Sequence, residues 1–286
     1  MVTIEKLLKD GTEIIKQRDF NNPLLDVQLI LCNLLQKDKI YLHLHRKDEV
    51  NDELANKFYE MAAKRNEGYP LQYMTNSQEF MGLDFYVQEG ILVPRPDTET
   101  LVEKIIHIVS NSSLKNKEIN ILDIGTGSGA IAVSLGYYLK NSHVTAMDIS
   151  NTAIETANIN IIKNGLLNVT TLKGDIFNYN FKNEKFHIVV SNPPYIESNI
   201  ISTLPVEVSK YEPKLALDGG IDGLDYYRHI VKVFEEIHEE NALLSVEIGY
   251  NQKEAVTDVF NNANIFKLIE CNKDIGGNDR VITGFL

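Results

Sequence analysis

The sequence predicts an α/β protein: a doubly wound, mainly parallel sheet over residues 96–286, preceded by a small all-helical domain over 1–75 and joined to it by a β-hairpin linker over 76–95. Three observations predict it. From Ile119 onward, short β-branched apolar runs alternate with helical stretches, the pattern of βαβ units. The first of those runs feeds a glycine-rich turn, Gly125-Thr126-Gly127-Ser128-Gly129, followed by a further apolar helix. The first 75 residues instead carry apolar side chains at helical spacing only.

Taken in order, Thr3 caps a first helix with Ile4, Leu7, Leu8, Ile14 and Ile15 on one face, where Gly11 permits close packing. Asn22-Pro23 opens a second helix, cap then first-turn proline. Its broad apolar surface, Leu24, Leu25, Val27, Leu31, Leu34 and Leu35, marks it as the centre of a bundle. A third helix runs from Asn51 through Leu54, Phe58, Met61 and Ala62 to a glycine stop at Gly68. His43 and His45, two apart with no third ligand nearby, read as surface histidines, and no metal is expected. Between Gln78 and Val93 the alternation of Phe80, Leu83, Phe85 and Val87, with turns at Met81-Gly82 and Glu89-Gly90, reads as a hairpin. Pro94-Arg95-Pro96-Asp97 stiffens the chain, and Asp97 is expected to cap a helix carrying Leu101, Val102, Ile105 and Ile106. Strands are expected at 119–124, 144–148, 169–173, 186–191, 243–248, 266–270 and 281–285.

A chain of 286 residues is long enough for two domains, and 43% hydrophobic with 24% charged residues is ordinary for a soluble globular protein. The net charge of −12, from 28 basic and 40 acidic residues, argues against affinity built on neutralising phosphates. It favours a protein or small-molecule substrate. Cys32 and Cys271 are too few for a disulfide framework. The N-terminus opens a charged amphipathic segment rather than a signal peptide, and no apolar run nears the ~20 residues of a membrane span. The expectation is a cytoplasmic protein with no membrane association.

The glycine turn lets backbone approach a ligand, and the helix behind it offers free N–H groups. Asp148 ends the next strand, 21 residues after Gly127 (148 − 127), where a carboxylate accepts both hydroxyls of a ribose. The pair points to an adenosine-bearing cofactor without saying which, since Gly125-x-Gly127-x-x-Ala130 also fits a nicotinamide dinucleotide turn. Asp175, after the third strand, is placed to accept the adenine amine, with Ile176 or Phe177 covering the ring. Asn192-Pro193-Pro194-Tyr195 leaves the fourth strand. An Asn side-chain oxygen, the Pro193 carbonyl and an aromatic face together suit a planar NH2 group.

In this order the motifs resemble S-adenosylmethionine-dependent methyltransferases that act on an amino group conjugated to a planar system, a likeness shared with adenine-N6 and cytosine-N4 DNA enzymes. The chain is more similar to the release factor glutamine methyltransferases (HemK/PrmC type). That likeness includes Phe80-Met81-Gly82-Leu83-Asp84-Phe85, Val93-Pro94-Arg95-Pro96-Asp97-Thr98-Glu99, Glu212-Pro213, Gly219-Gly220, Gly223-Leu224, Tyr227-Arg228 and Asp279-Arg280-Val281, and it covers nearly the whole chain.

The resemblance implies a class I, Rossmann-like methyltransferase fold binding S-adenosyl-L-methionine through Gly125, Thr126, Gly127, Ser128, Gly129, Asp148, Asp175, Ile176, Phe177 and Asn192. It implies Asn192, Pro193 and Tyr195 as catalytic residues and Asn192, Pro193, Pro194 and Tyr195 as the substrate pocket, with the Tyr195 ring on the amide plane. The implied substrates are class 1 peptide chain release factors, methylated on the glutamine of their Gly-Gly-Gln loop, with no direct nucleic-acid substrate. The N-terminal helices would help to recognise the protein substrate. Where some members place a Trp after the third-strand Asp, this sequence has Ile176 and then Phe177. Arg95 and Glu99 resemble family positions beside the pocket and equally suit an exposed ion pair at a helix start. The rival readings are a nucleic-acid amino methyltransferase, a non-catalytic protein-binding domain on the same fold, and a nicotinamide dehydrogenase, which leaves Asn-Pro-Pro-Tyr unexplained.

Overall fold

A computed structural model describes residues 1–16, 21–182 and 184–286. The chain forms two compact units, Met1–Ser77 with Leu204–Tyr211, and Gln78–Thr203 with Glu212–Leu286.

The first unit opens with β1 (Val2–Thr3) and α1 (Ile4–Ile14), whose Thr3 cap accepts a hydrogen bond from the Lys6 N–H. α2 (Pro23–Leu35) starts on Asn22, which accepts from the Leu25 N–H. Two elements that periodicity did not reveal follow: α3 (Lys39–Leu44), and β2 (Glu49–Val50), antiparallel to β1. Both are too short to establish a period. α4 (Asp52–Asn66) starts on Asn51, and beyond it Gly68 takes up a left-handed φ of 95°. α5 (Leu71–Thr75) completes the run. α2 buries Val27, Ile30 and Leu31, whereas Leu24 and Leu25 face outward, so its buried stripe is narrower than its composition suggests. A Cβ on Gly11 would lie 2.6 Å from Phe58 and 2.8 Å from Val27, which is why α1 carries a glycine where it meets α4 and α2.

In the second unit β3 (Gln78–Phe80) and β4 (Leu83–Phe85) form the hairpin around Met81 and Gly82. Both turn residues are left-handed, with φ of 53° and 71°, as a two-residue hairpin turn of matching twist requires. The strand ends there: Val87, Ile91 and Val93 are buried in irregular chain. The segment expected as a linker is core material, since Phe80, Leu83 and Phe85 pack with Leu101, Val102 and Ile105 of α6 (Pro96–Ser110). Arg95, not Asp97, is the N-cap of α6 and makes no side-chain capping bond. Pro96 at the first turn moves the helix start two residues earlier, and Asp97 instead meets Arg280 at 3.2 Å.

β5 (Ile119–Ile124), α7 (Ala130–Tyr138), β6 (Ser142–Asp148), α8 (Asn151–Lys163), β7 (Val169–Lys173) and β8 (Phe186–Ser191) follow. After Thr203 the chain leaves this unit for the short helix α9 (Val206–Ser209), which belongs to the first, and returns at Glu212. α10 (Asp225–Ile237), β9 (His238–Glu247), α11 (Lys253–Ala263), β10 (Leu268–Lys273) and β11 (Asp279–Phe285) complete it. The seven strands lie in the order β10-β11-β9-β8-β5-β6-β7. Five are parallel, and β11 and β10 are antiparallel additions at one edge. Successive strand residues face opposite layers: Ile121 and Val190 pack on the α6 and α7 side, Leu122 and Val189 on the α10 and α11 side. Between β8 and β5 the direction of strand progression reverses, the place where open α/β sheets bind ligands. Among the described residues no helix is long and apolar enough to cross a membrane.

Within the first unit, Arg65 is buried and donates from Nε to Asp26 at 2.7 Å, and Nη1 lies 3.2 Å from Glu207 of α9. Asp26→Ala leaves that guanidinium short of a buried partner and should cost about 3 kcal/mol of stability. Urea unfolding followed by circular dichroism measures it, and a loss within experimental scatter would count against the pair as a structural anchor.

Candidate active site

The site begins with register. Ile124 pairs with Ser191 at the end of the β5–β8 ladder, and the Ser191 hydroxyl donates to the Ile124 carbonyl at 2.7 Å. The glycine turn and the Asn-Pro-Pro-Tyr run therefore leave adjacent strands at the same level. The Gly125 and Thr126 N–H groups both donate to the Met147 carbonyl at 2.9 Å, which ties the turn to β6. Gly125 and Gly127 have φ of 73° and 56°, and a Cβ on either would meet nothing within 4 Å. They form an open cradle that a ligand, not the protein, fills. Gly129 differs: it does not line the cavity, and its added Cβ would lie 3.1 Å from that of Ala157, so its role is to let α7 start close against α8.

Asp123, unremarked in the sequence apart from its place in the strand, holds this turn from inside. Its carboxyl accepts from the Thr126 hydroxyl at 2.6 Å and from the Ala132 N–H at 3.2 Å, while Oδ1 is buried without a hydrogen bond. Burial pushes the Asp123 pKa up to about 7, opposed by those two bonds and reinforced by the Asp148 charge. An acid inside an otherwise apolar strand was the available signal.

The cavity above the turn is walled by Gly125, Thr126, Gly127 and Ser128 on one side and by Asp148, Asp175 and Ile176 on another. Asp148 accepts from the Gly127 N–H and the Ser150 N–H, both at 2.9 Å, one on each oxygen. Each oxygen keeps a second acceptor direction for a ribose hydroxyl. Burial raises its pKa. Asp175 accepts from the Phe177 N–H at 3.0 Å and from Asn178 Nδ2 at 2.8 Å, so it shapes its own turn as well as lining the cavity. Ile176 is buried in the cavity wall, whereas Phe177 is 42% exposed, with its ring against Tyr226 and His229. Of the two candidates, Ile176 is the one that lines the cavity.

Asn192, Pro193 and Pro194 form a further part of the wall. Asn192 donates from Nδ2 to the Thr98 hydroxyl at 3.1 Å. Tyr195 does not line the cavity: its ring packs against the α10 and α11 side of the core, and Gln252 donates to its carbonyl at 3.0 Å. Burial, with the Glu247 charge beside it, pushes the Tyr195 hydroxyl up to about 12, so the phenol stays protonated. Behind the turn, Ile196 donates to the Leu217 carbonyl at 3.0 Å and Gly219 donates back to the Ile196 carbonyl at 2.8 Å. Arg95 lines the cavity and pairs with buried Glu212 at 2.6 Å, which also accepts from the Val93 N–H. Glu99 accepts from the Met81 N–H at 2.7 Å and braces the hairpin.

A doubly wound sheet with a glycine cradle, an acid on the second strand and an amide at the switch point defines a Rossmann-like S-adenosyl-L-methionine-dependent methyltransferase. Residues 115–264 match the model of a methyltransferase domain and residues 6–75 that of the PrmC N-terminal domain. The fold is similar to a methyltransferase from Pyrococcus furiosus (TM-score 0.52, 18% identity, 72% of this chain and 89% of that one). It is equally similar to the hMettl16 catalytic domain (TM-score 0.54, 14% identity, 82% of each chain). Over the full sequence it is 36% identical to the release factor glutamine methyltransferase of Clostridium botulinum, covering 98% of both chains. It is 40% identical to that of Fusobacterium nucleatum, over 96% of this chain and 77% of the other. The chain belongs to the release factor glutamine methyltransferase family.

Two substitutions test the cofactor side. Asp148→Ala removes charge-assisted hydrogen bonds worth roughly 1.5–3 kcal/mol each, so the dissociation constant for S-adenosyl-L-methionine should rise about tenfold or more. Calorimetry reads it, and an unchanged constant would remove Asp148 from the ribose site. For Asp123 the raised pKa means the native state favours the protonated acid. Its stabilising contribution is complete below the ordinary carboxylate range and is lost as pH rises through about 7. Asp123→Asn, neutral at every pH, should therefore raise the unfolding temperature more at about pH 8 than at about pH 5. Equal effects at the two pH values would contradict the assignment.

Proposed function

We propose that this protein transfers the methyl group of S-adenosyl-L-methionine to the side-chain amide nitrogen of the glutamine in the Gly-Gly-Gln motif of class 1 peptide chain release factors. One observation carries the reading. Asn192 commits its NH2 to Thr98, so its Oδ1 is the end available as an acceptor at the cavity wall. Pro193 follows it in the same wall, and among the described residues no donor reaches the Pro193 carbonyl. Two adjacent acceptors suit a group that offers two N–H bonds.

A carboxamide nitrogen is a weak nucleophile because its lone pair is delocalised into its carbonyl. Asn192 and Pro193 would accept its two hydrogens, aim the nitrogen and favour the positive charge that grows there as the new N–C bond forms and the methyl–sulfur bond breaks, leaving S-adenosylhomocysteine, after which the nitrogen loses one proton. Gly125, Gly127, Asp148, Asp175 and Ile176 would hold the cofactor, which would supply an electrophilic sulfonium methyl. Pro213, Leu215 and Ala216 line the cavity as well and give the incoming side chain apolar surroundings. Tyr195 serves by fixing the turn through its buried ring and bonded carbonyl rather than by stacking. Residues 6–75, matched to the PrmC N-terminal domain, are proposed to help recognise the release factor, and a translation-factor substrate implies a cytoplasmic setting.

An amino group on a nucleobase also offers two hydrogens, but the net charge of −12 favours a protein substrate. Labelled S-adenosyl-L-methionine, offered with separate pools of release factor, tRNA, rRNA and DNA, should label release factor alone. Asn192→Ala should lower the single-turnover rate on release factor by about 10²–10³ while cofactor affinity stays within a few-fold. Label in nucleic acid, or near wild-type turnover by a folded Asn192→Ala, would sink the proposal.

A further inference from the structure

Behind Asn192 lies a buried carboxylate with no part in the mechanism so far. Glu247 ends β9, one residue beyond Val246, the register partner of Ser191, so it stands level with Asn192 on the neighbouring strand. It is 1% exposed, and its Oε2 is buried without a hydrogen bond. The side-chain donor beside it is the Thr98 hydroxyl. Thr98 is itself buried in the first turn of α6 and accepts from Asn192 Nδ2 at 3.1 Å. A hydroxyl that accepts one hydrogen bond still has a proton to place. Here the neighbouring Glu247 carboxyl is the acceptor that draws it.

Resting on the assignment of Asn192 as the group that holds the substrate amide, we infer that Glu247, acting through Thr98, is a positioning residue that sets which end of the Asn192 amide faces the substrate. An ionised Glu247 can only accept, so it draws the Thr98 proton. Thr98 then presents its lone pairs to Asn192, which must answer with its NH2 and leave Oδ1 toward the cavity. A protonated Glu247 can donate to Thr98 instead. The Thr98 proton is then free to point at Asn192, and the amide turns its NH2 toward a substrate that also has only N–H groups to offer.

The charged and titratable groups around Glu247 are Arg280 and Arg95, which favour its ionised form, Asp97, which opposes it, and the phenols of Tyr195 and Tyr227. Burial is the largest influence and sets its pKa at about 7. The switch therefore falls near neutral pH.

The test uses full-length protein and release factor under single-turnover conditions at saturating cofactor. Thr98→Val keeps the shape of the side chain and removes the relay. It should slow transfer about tenfold or more with cofactor affinity within about twofold, and Thr98→Ser should recover most of the rate. The wild-type rate should fall as pH drops below about 7, and Glu247→Gln, which cannot titrate, should lose that fall. Should Thr98→Val fail to fold by circular dichroism, the Glu247→Gln profile decides alone. Wild-type transfer to release factor together with an undiminished Thr98→Val rate, or an acid fall retained in Glu247→Gln, overturns the relay and leaves the proposed function standing. A wild-type protein that transfers no methyl to release factor takes both down.

Discussion

The site depends on one register. Ile124 opposite Ser191, locked by the Ser191 hydroxyl on the Ile124 carbonyl, puts the glycine cradle and Asn192 side by side at the carboxyl ends of adjacent parallel strands. Asp148, Asp175 and Glu247 take their places from the same alignment, one strand further out in each direction or two. A slip of one residue would exchange the two faces of β8, sending Val189 toward the α6 layer and Val190 toward α10. Both faces are packed, so the apolar core forbids the slip. The chemistry is aligned by the hydrophobic effect before any polar contact contributes.

The Asn-Pro-Pro-Tyr turn needs backing because prolines cannot hold it by their own N–H groups. The segment around 217–223 supplies it. A Cβ on Gly219 would sit 2.8 Å from the Pro194 carbonyl oxygen and 2.8 Å from Tyr195 Cα, and one on Gly223 would sit 2.4 Å from the Tyr195 carbonyl oxygen. Both obstacles are backbone and cannot rotate away. The glycines thus mark where one chain lies against another, and Gln252 closes the arrangement by donating to the Tyr195 and Gly223 carbonyls.

What the sequence disclosed follows from what is local. The strand-turn-helix around Gly125, the spacing to Asp148 and the run at Asn192 each announce themselves within about 25 residues of chain, and each stands at the cavity. The direction of the Tyr195 ring was not legible, because it is decided by packing against the core on the α10 and α11 side and not by the run itself. Ile176 and Phe177 were indistinguishable until the Asp175 turn fixed which of them points inward. Thr98 and Glu247 lie 94 and 55 positions from Asn192 (192 − 98 and 247 − 192), and only the β8–β9 ladder and the start of α6 bring them together. The segment 204–211, assigned to the first unit while both its neighbours belong to the second, has no periodic signature to betray it.

The placement of polarity within the sheet carries the last step. β8 is flanked by β9 and β5, and each of those strands ends in or near a buried acid, Glu247 and Asp123, with one carboxyl oxygen left without a hydrogen bond. Burial raises both to about 7, which is a cost to the native state whenever they ionise. A core selected for stability alone would fill those positions with apolar side chains of similar volume. Elsewhere the same strands do so, with Ile121, Leu122, Leu244 and Val246. Ser245 aside, whose hydroxyl meets that of Thr283 at 2.8 Å, the two exceptions border the cradle and the amide, one at each, where a fixed acceptor decides how a turn or a side chain presents its hydrogens. Two raised-pKa acids placed beside the cradle and the amide are what a site that trades stability for orientation leaves in a structure.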